Sequence, residues 1–121
     1  MVDGKITQFE DLRVWQQAQD LSVVVYNLSK SFPKDEIYGL TSQIRRAANS
    51  ISANIAEGFG HRTKPAKINF YHIAYGSLLE VKNFLYLSEK LGFCQNEQIT
   101  DILQAVTSLQ KQLNSLIASL K

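Results

Sequence analysis

The segment Ser50–Pro65, SISANIAEGFGHRTKP, decides how the chain folds, because it ends one helix and begins another within a few residues. Its first half carries apolar residues at helical spacing, and Gly58 and Gly60 then predict the end of that helix. Pro65 suits the first turn of the next helix. Because a short connection makes consecutive helices antiparallel, the segment predicts a helical hairpin.

Helical spacing extends along most of the chain in four segments. It predicts helices over about residues 9–30, 36–58, 65–91 and 96–120. Asp35 is the expected N-cap of the second helix, and Gly92 is expected to end the third. No segment shows the alternation of a strand. The sequence therefore predicts an all-α protein, one antiparallel up-down-up-down four-helix bundle over residues 1–121.

Each predicted helix carries one apolar stripe, which we expect to form the core. The four stripes are Val14, Ala18, Leu21, Val25 and Leu28; Leu40, Ile44, Ala48, Ile51 and Ile55; Phe70, Ala74, Leu78, Val81 and Leu85; and Ile99, Leu103, Val106, Leu109 or Gln110, Leu113 and Ile117. The far face of the fourth helix is polar and is expected to be solvated.

The first three helices carry more apolar or small side chains than one core requires. The third helix has a second stripe, and the first has apolar residues off its main stripe: Ile68, His72, Tyr75, Leu79 and Tyr86, and Leu12, Trp15, Val23 and Tyr26. Contiguous apolar patches usually mark interfaces. The pattern predicts a homo-oligomer that forms through helices one to three, with helix four outward. The alternative is that these are scattered surface apolar residues, which are normal.

The composition of the 121 residues, 45% hydrophobic and 20% charged, is that of a soluble globular protein. Cys94 is the only cysteine, which excludes an intrachain disulfide and favours a reducing compartment. The N-terminal residues contain no apolar run typical of a signal peptide, and no segment has the roughly 18 apolar residues of a membrane span. We therefore expect a cytoplasmic protein without a membrane partner.

The net charge of +2 is small, but the charges are unevenly distributed. Between Gly39 and His72 the only acidic residue is Glu57, whereas five residues are basic: Arg45, Arg46, Arg62, Lys64 and Lys67. With His61 and nearby aromatic residues, they predict a basic surface for RNA or DNA. Because useful affinity requires several phosphate contacts, an oligomer that repeats the surface would bind better. The alternative is that these residues only solvate a loop.

Asn54, Glu57 and His61 lie close together in the sequence, as in an acid–base site. No recognisable nucleophile motif accompanies them, and the alternative is that Glu57 pairs with an arginine while Asn54 bonds to backbone or a neighbouring helix. A di-iron site in a helix bundle requires Glu-x-x-His motifs, whereas this chain has two histidines and no such motif. We expect no enzymatic activity, no metal, no cofactor and no small-molecule substrate.

Three segments of the chain resemble a known family. They are FEDLRVWQQAQDL from Phe9, FPKDEIYGLTSQIRRAANSISANIAEGFGHR over Phe32–Arg62, and FYHIAYGSLLEV from Phe70. They are similar to the four-helix-bundle proteins encoded in intervening sequences of bacterial 23S ribosomal RNA genes. The same superfamily includes the accessory variability protein of diversity-generating retroelements. The resemblance implies a subunit commonly assembled as a ring-shaped homopentamer, without enzymatic activity.

In the retroelement branch, the resemblance implies a basic ring that associates with a reverse transcriptase and nucleic acid. It assigns no role in the ribosomal branch. For this chain we therefore predict binding to RNA or DNA, or to a partner such as a reverse transcriptase, through a repeated basic surface. The alternative is an assembly scaffold that does not bind nucleic acid.

The positions that match the family pattern are expected mainly to build the fold and the ring. Some of them, together with the second stripe of the third helix and the off-stripe residues of the first, give the predicted oligomer interface: Trp15, Tyr26, Arg46, Asn54, Glu57, His72, Tyr75, Gly76, Leu79 and Tyr86. Gly76 is expected to permit a close helix approach. Arg46 and Glu57 are about 16 Å apart along one helix, too far to pair within a subunit, so we expect a pair with another helix or subunit.

Overall fold

The computed structural model describes residues 5–121 and is all-helical over that range. It contains two short 3₁₀ turns and four long helices. The turns are Phe9–Asp11 and Lys34–Glu36, and the helices are α1 (Arg13–Ser29), α2 (Leu40–Gly60), α3 (Lys64–Lys90) and α4 (Asn96–Ala118). The predicted all-α fold with four helices and no strand is therefore confirmed for the described residues. None of these helices is long and apolar enough to cross a membrane.

The helices follow one another around the bundle, and each packs antiparallel to its neighbours. Between α1 and α2, Ser22 Oγ donates to the Ala48 carbonyl at 3.2 Å. Between α2 and α3, Ser77 Oγ donates to Ser50 Oγ at 2.8 Å. The α2/α3 turn therefore lies at the same end of the bundle as the start of α1 and the end of α4.

The first helix begins later than residue 9, because Phe9–Asp11 forms a separate turn and Leu12 is extended. The turn folds Phe9 back onto Trp15, with ring centroids 5.1 Å apart in an edge-to-face arrangement. This contact leaves Trp15 partly buried against the bundle.

The second helix begins at Leu40, four residues after the predicted start. Pro33 precedes the turn Lys34–Glu36, and the Glu36 carboxylate then accepts a hydrogen bond from the Leu40 N–H at 3.1 Å. The expected cap at Asp35 is thus wrong. Glu36 satisfies the free amide instead, because the intervening turn moves the helix start toward the C-terminus.

Of the two glycines predicted to end α2, only Gly60 lies at its end, because the helix continues through Gly58. Gly58 is instead buried where α2 meets α3. A Cβ atom there would lie 2.7 Å from Tyr71 Cε1 and 3.1 Å from Phe70 Cβ. The absent side chain therefore lets the two helices approach closely. After the turn, Thr63 caps α3, and its hydroxyl accepts a hydrogen bond from the Ala66 N–H.

Gly92 ends α3 as predicted, with a positive φ of 78°. The Phe93 N–H donates to the Ser88 carbonyl at 2.9 Å, and the Gly92 N–H donates to the Glu89 carbonyl at 2.9 Å. These two bonds form a Schellman motif, which favours glycine because other residues rarely adopt this φ.

The core contains every predicted stripe residue of α1 and α2, and most of those of α3 and α4. Tyr71 is buried in place of Phe70, and Ile102 in place of the half-buried Leu103. Tyr71 enters the core because Gly58 leaves space for its ring. Burial raises the pKa of the Tyr71 hydroxyl.

Candidate nucleic-acid and assembly surfaces

The turn between α2 and α3 presents exposed basic residues, Arg62 and Lys64. Beside them, the His61 ring stacks on Phe70 at 4.6 Å between centroids. His61 Nε2 lies 3.6 Å from the Glu57 carboxylate, one helical turn away. Among residues 5–121 no arginine lies within ion-pair distance of Glu57, so the expected pair with an arginine is not found within one subunit. A pair with an arginine of another subunit stays a prediction.

Lys67 is bound into the fold at this same turn. Its ammonium donates to the Phe59 carbonyl at 2.6 Å and to the Gly58 carbonyl at 3.4 Å, and it lies 5.3 Å from the Phe59 ring centroid. The last carbonyls of a helix lack partners within the helix and carry partial negative charge. Lys67 therefore caps α2, a role that the sequence reasoning did not assign to it.

Arg45 has a corresponding position at the end of α1. Its Nε donates to Ser29 Oγ at 2.8 Å and its Nη2 to the Tyr26 carbonyl at 3.5 Å. The guanidinium carbon lies 4.7 Å from the centroid of the Tyr26 ring. The Tyr26 hydroxyl in turn accepts a hydrogen bond from Asn49 at 2.9 Å. Both Arg45 and Tyr26 thus connect α1 to α2.

The five predicted nucleic-acid residues do not form one surface. Arg45 and Arg46 lie in the first half of α2, and about 21 Å of helix separates Arg46 from Gly60. Arg62, Lys64 and Lys67 lie around the α2/α3 turn. The structure therefore divides the predicted basic surface into two regions.

Other charged residues join the α2/α3 turn through the topology. At this end of the bundle, residues 5–13, 57–67 and 117–121 contain six basic side chains and three acidic ones. They are Lys5, Arg13, Arg62, Lys64, Lys67 and Lys121, and Glu10, Asp11 and Glu57. At the opposite end, residues 30–39 and 87–97 contain three basic and four acidic side chains. Lys5, Arg13 and Lys121 were not predicted as part of this surface, although the antiparallel topology was a signal for them.

The candidate acid–base residues are engaged in structural contacts. Asn54 Nδ2 donates to the Ser50 carbonyl at 2.8 Å and to Ser50 Oγ at 2.9 Å, in the seam between α2 and α3. Glu57 pairs with His61 on the surface, and His72 is exposed on α3. Cys94 is buried, which raises the pKa of its thiol, and the Glu89 carboxylate adds to the shift. Within residues 5–121, no three histidine, cysteine or acidic side chains are grouped to hold a metal ion.

The predicted second stripe of α3 is largely exposed. Leu79 and Tyr86 are 45% and 47% exposed, and His72 is also exposed. Tyr75 is half-buried and its hydroxyl accepts from Gln110 of α4 at 3.4 Å. Ile68 and Tyr75 therefore pack partly against the core, and the exposed part of the stripe consists of His72, Leu79 and Tyr86.

The remaining predicted interface residues have varied environments. Trp15 is partly buried against Phe9, and Arg46 is exposed on α2. A Cβ atom at Gly76 would meet nothing within 4 Å. The expected close approach at Gly76 is therefore wrong within one subunit; its role between subunits stays a prediction.

The comparisons with known proteins agree with this architecture. The sequence profile of the family described as 23S rRNA-intervening sequence protein matches residues 10–115. A crystal structure of a protein with unknown function from the S23 ribosomal protein family of Bacteroides thetaiotaomicron is similar, with a TM-score of 0.77 and 25% sequence identity. The match covers 86% of this chain and 97% of that chain. No curated protein matches. Since the profile spans nearly the whole chain, the protein belongs to the 23S rRNA-intervening sequence protein family.

Proposed function

We propose that the protein is a non-enzymatic, self-assembling four-helix bundle in the cytoplasm. Its oligomer binds RNA or DNA, or a protein that processes nucleic acid such as a reverse transcriptase, through a repeated basic surface. The observation that carries the proposal is the excess of basic side chains at the end of the bundle that holds the α2/α3 turn. There, Arg62 and Lys64 extend into solvent.

Two properties of this end support nucleic-acid binding. Cations that cluster at one end attract phosphates, and their effect adds when subunits present the same end together. His61 and Phe70 also form a stacked pair beside Arg62, and such rings are surfaces on which unpaired bases stack.

The test is the salt dependence of binding to a fluorescent single-stranded RNA and to the matching DNA duplex. Each phosphate contact contributes about −0.7 to −0.9 to the slope of log affinity against log salt. We expect the double variant Arg62→Gln/Lys64→Gln to weaken binding. Its slope should be less steep by the contribution of about two phosphate contacts for each subunit that contacts the nucleic acid. Lys67 is left unchanged, because its substitution would also remove the cap of α2.

The matched control is Lys30→Gln/Lys34→Gln, which removes two exposed basic residues from the opposite end. This variant should bind like the wild type. If the Arg62/Lys64 variant keeps the wild-type affinity and slope, the proposed surface is wrong.

A second candidate is an assembly scaffold that does not bind nucleic acid. It is favoured by the finding that two of the five predicted residues, Arg45 and Lys67, are already bound to helix ends within the subunit. Absence of salt-dependent binding by an intact oligomer would select the scaffold.

A further inference from the structure

A groove of about 340 Å³ opens between α1 and α4, the first and last helices of the described bundle. These two helices are neighbours that no loop joins. On the α4 wall, Ala105 and Ser108 carry small side chains that leave the space between the helices unfilled. The groove therefore forms because two helices that are not connected by a loop lie side by side and α4 presents small side chains between them.

The floor and one wall of the groove are apolar. Leu21, Ile102 and Leu109 belong to the core and form its base. Val24 of α1 remains 42% exposed, since Ala105 offers only a methyl group to cover it. A side chain of the size of leucine that enters here would remove apolar surface from water, which is favourable.

Each helix contributes one carboxylate to the rim, Asp20 from α1 and Asp101 from α4. Both residues are exposed, and neither has an ion-pair partner among the residues of the described range. The rim is thus negative, in contrast to the basic end of the bundle. It favours cationic groups and repels phosphates.

We infer that this groove binds a basic amphipathic helix of a partner protein. A helix that lies between two antiparallel helices presents apolar side chains three and four residues apart, which would pack on Leu21, Val24 and Ile102. Lysine or arginine side chains that flank this apolar face would reach Asp20 and Asp101. The inference goes beyond the proposed function, because the ligand is a protein segment and the site is separate from the basic end.

The probe is a fluorescein-labelled 14-residue peptide of leucine and lysine, with leucines spaced three and four apart. Two comparison peptides replace lysine by glutamate, or scramble the order so that no apolar face remains. We expect the lysine peptide to bind, as measured by fluorescence anisotropy, and each comparison peptide to bind at least about tenfold more weakly. Equal binding of either comparison peptide would overturn the inference.

The groove is tested with Ala105→Leu, which fills it from an exposed position. We expect about a tenfold loss of peptide affinity, whereas Thr107→Leu, also at an exposed position of α4, should have no effect. Circular dichroism checks that both variants remain helical. Undiminished binding to a folded Ala105→Leu variant would rule out the groove as the site.

The rim is tested with Asp20→Asn/Asp101→Asn. We expect a several-fold loss of peptide affinity and a weaker dependence of that affinity on salt. The loss is moderate because each exposed ion pair contributes little. Glu97→Gln, at another exposed position of α4, is the control. None of these variants should alter nucleic-acid binding, so the two proposals can fail independently. If Ala105→Leu lowers the mass of the oligomer, the groove holds a second copy and the inference is wrong.

Discussion

Gly58 lies where α2 and α3 pack closely together. The sequence pattern suggested a helix stop, since glycine often follows the last helical residue. The structure places Gly58 inside α2, where its missing side chain makes space for Tyr71. The sequence pattern indicated that Gly58 has a structural role. It did not indicate which one, because Tyr71 lies on another helix.

We expect Gly58→Ala to destabilise the protein by about 1–2 kcal/mol. Overpacking a core costs about 1–3 kcal/mol, and the better helix propensity of alanine offsets up to about 1 kcal/mol of that cost. Urea unfolding, followed by circular dichroism at fixed protein concentration, measures the change.

The control for Gly58 is Gly60→Ala, because a Cβ atom at Gly60 would meet nothing within 4 Å. This variant should unfold at the same urea concentration as the wild type, or slightly higher. A Gly58→Ala variant as stable as Gly60→Ala would contradict the close contact with Tyr71.

The C-terminal ends of α1 and α2 are each contacted by a basic side chain of the next helix. A basic side chain of the following helix, Arg45 for α1 and Lys67 for α2, donates to backbone carbonyls near the end of the preceding one. Lys67 supplies a partner for the Phe59 carbonyl, and both cations oppose the negative end of a helix dipole. From the charge pattern, Arg45 and Lys67 were predicted to bind nucleic acid. Their contacts with helix ends could not be predicted, because these depend on how the helices pack.

We expect Lys67→Gln to lower the free energy of unfolding by about 1 kcal/mol, since it removes a charged hydrogen bond to a helix end. Lys64→Gln is the control, because Lys64 is exposed in the first turn of α3. Thermal unfolding of the two variants at one concentration provides the comparison. Equal stability of the two variants would show that the Lys67 contact contributes nothing.

The four-helix fold separates three surfaces whose residues are interspersed in the sequence. The basic end holds Arg62 and Lys64, the α1/α4 groove is acidic, and the second stripe of α3 is apolar. Adjacent residues of a helix point to different sides, so residues of one surface come from distant positions in the chain. A protein of small net charge can therefore offer regions of opposite charge to different partners.

The apolar stripe of α3 underlies our prediction of assembly. We expect native mass spectrometry of the wild type to give a homopentamer of 13.7-kDa subunits. Leu79→Glu/Tyr86→Glu should give monomers with little loss of helix content, because both residues are about half exposed and their carboxylates would be desolvated in an interface.

The control for the stripe is Tyr38→Glu, which changes a side chain that is 94% exposed and does not lie on α3. It should leave the oligomer intact. A monomeric wild type, or a double variant that still assembles, would show that the stripe is ordinary surface. Gly76→Ala tests the same interface with a smaller change, because only a second subunit would meet the added methyl group.

The number of helices, their antiparallel order and most of the core are predictable from the sequence, since they follow from apolar spacing and from short connections. It also determined that Gly92 ends α3, because a positive φ is a local property of the chain. The family membership likewise follows from the order of residues 10–115.

Three residues have roles in the fold that depend on contacts between helices and could not be read from the sequence. Gly58, Arg45 and Lys67 act across helices. The groove between α1 and α4 also appears only in three dimensions, because its walls come from opposite ends of the chain. Local spacing sets which face a residue occupies, but the distance between two faces is set by the packing of all four helices.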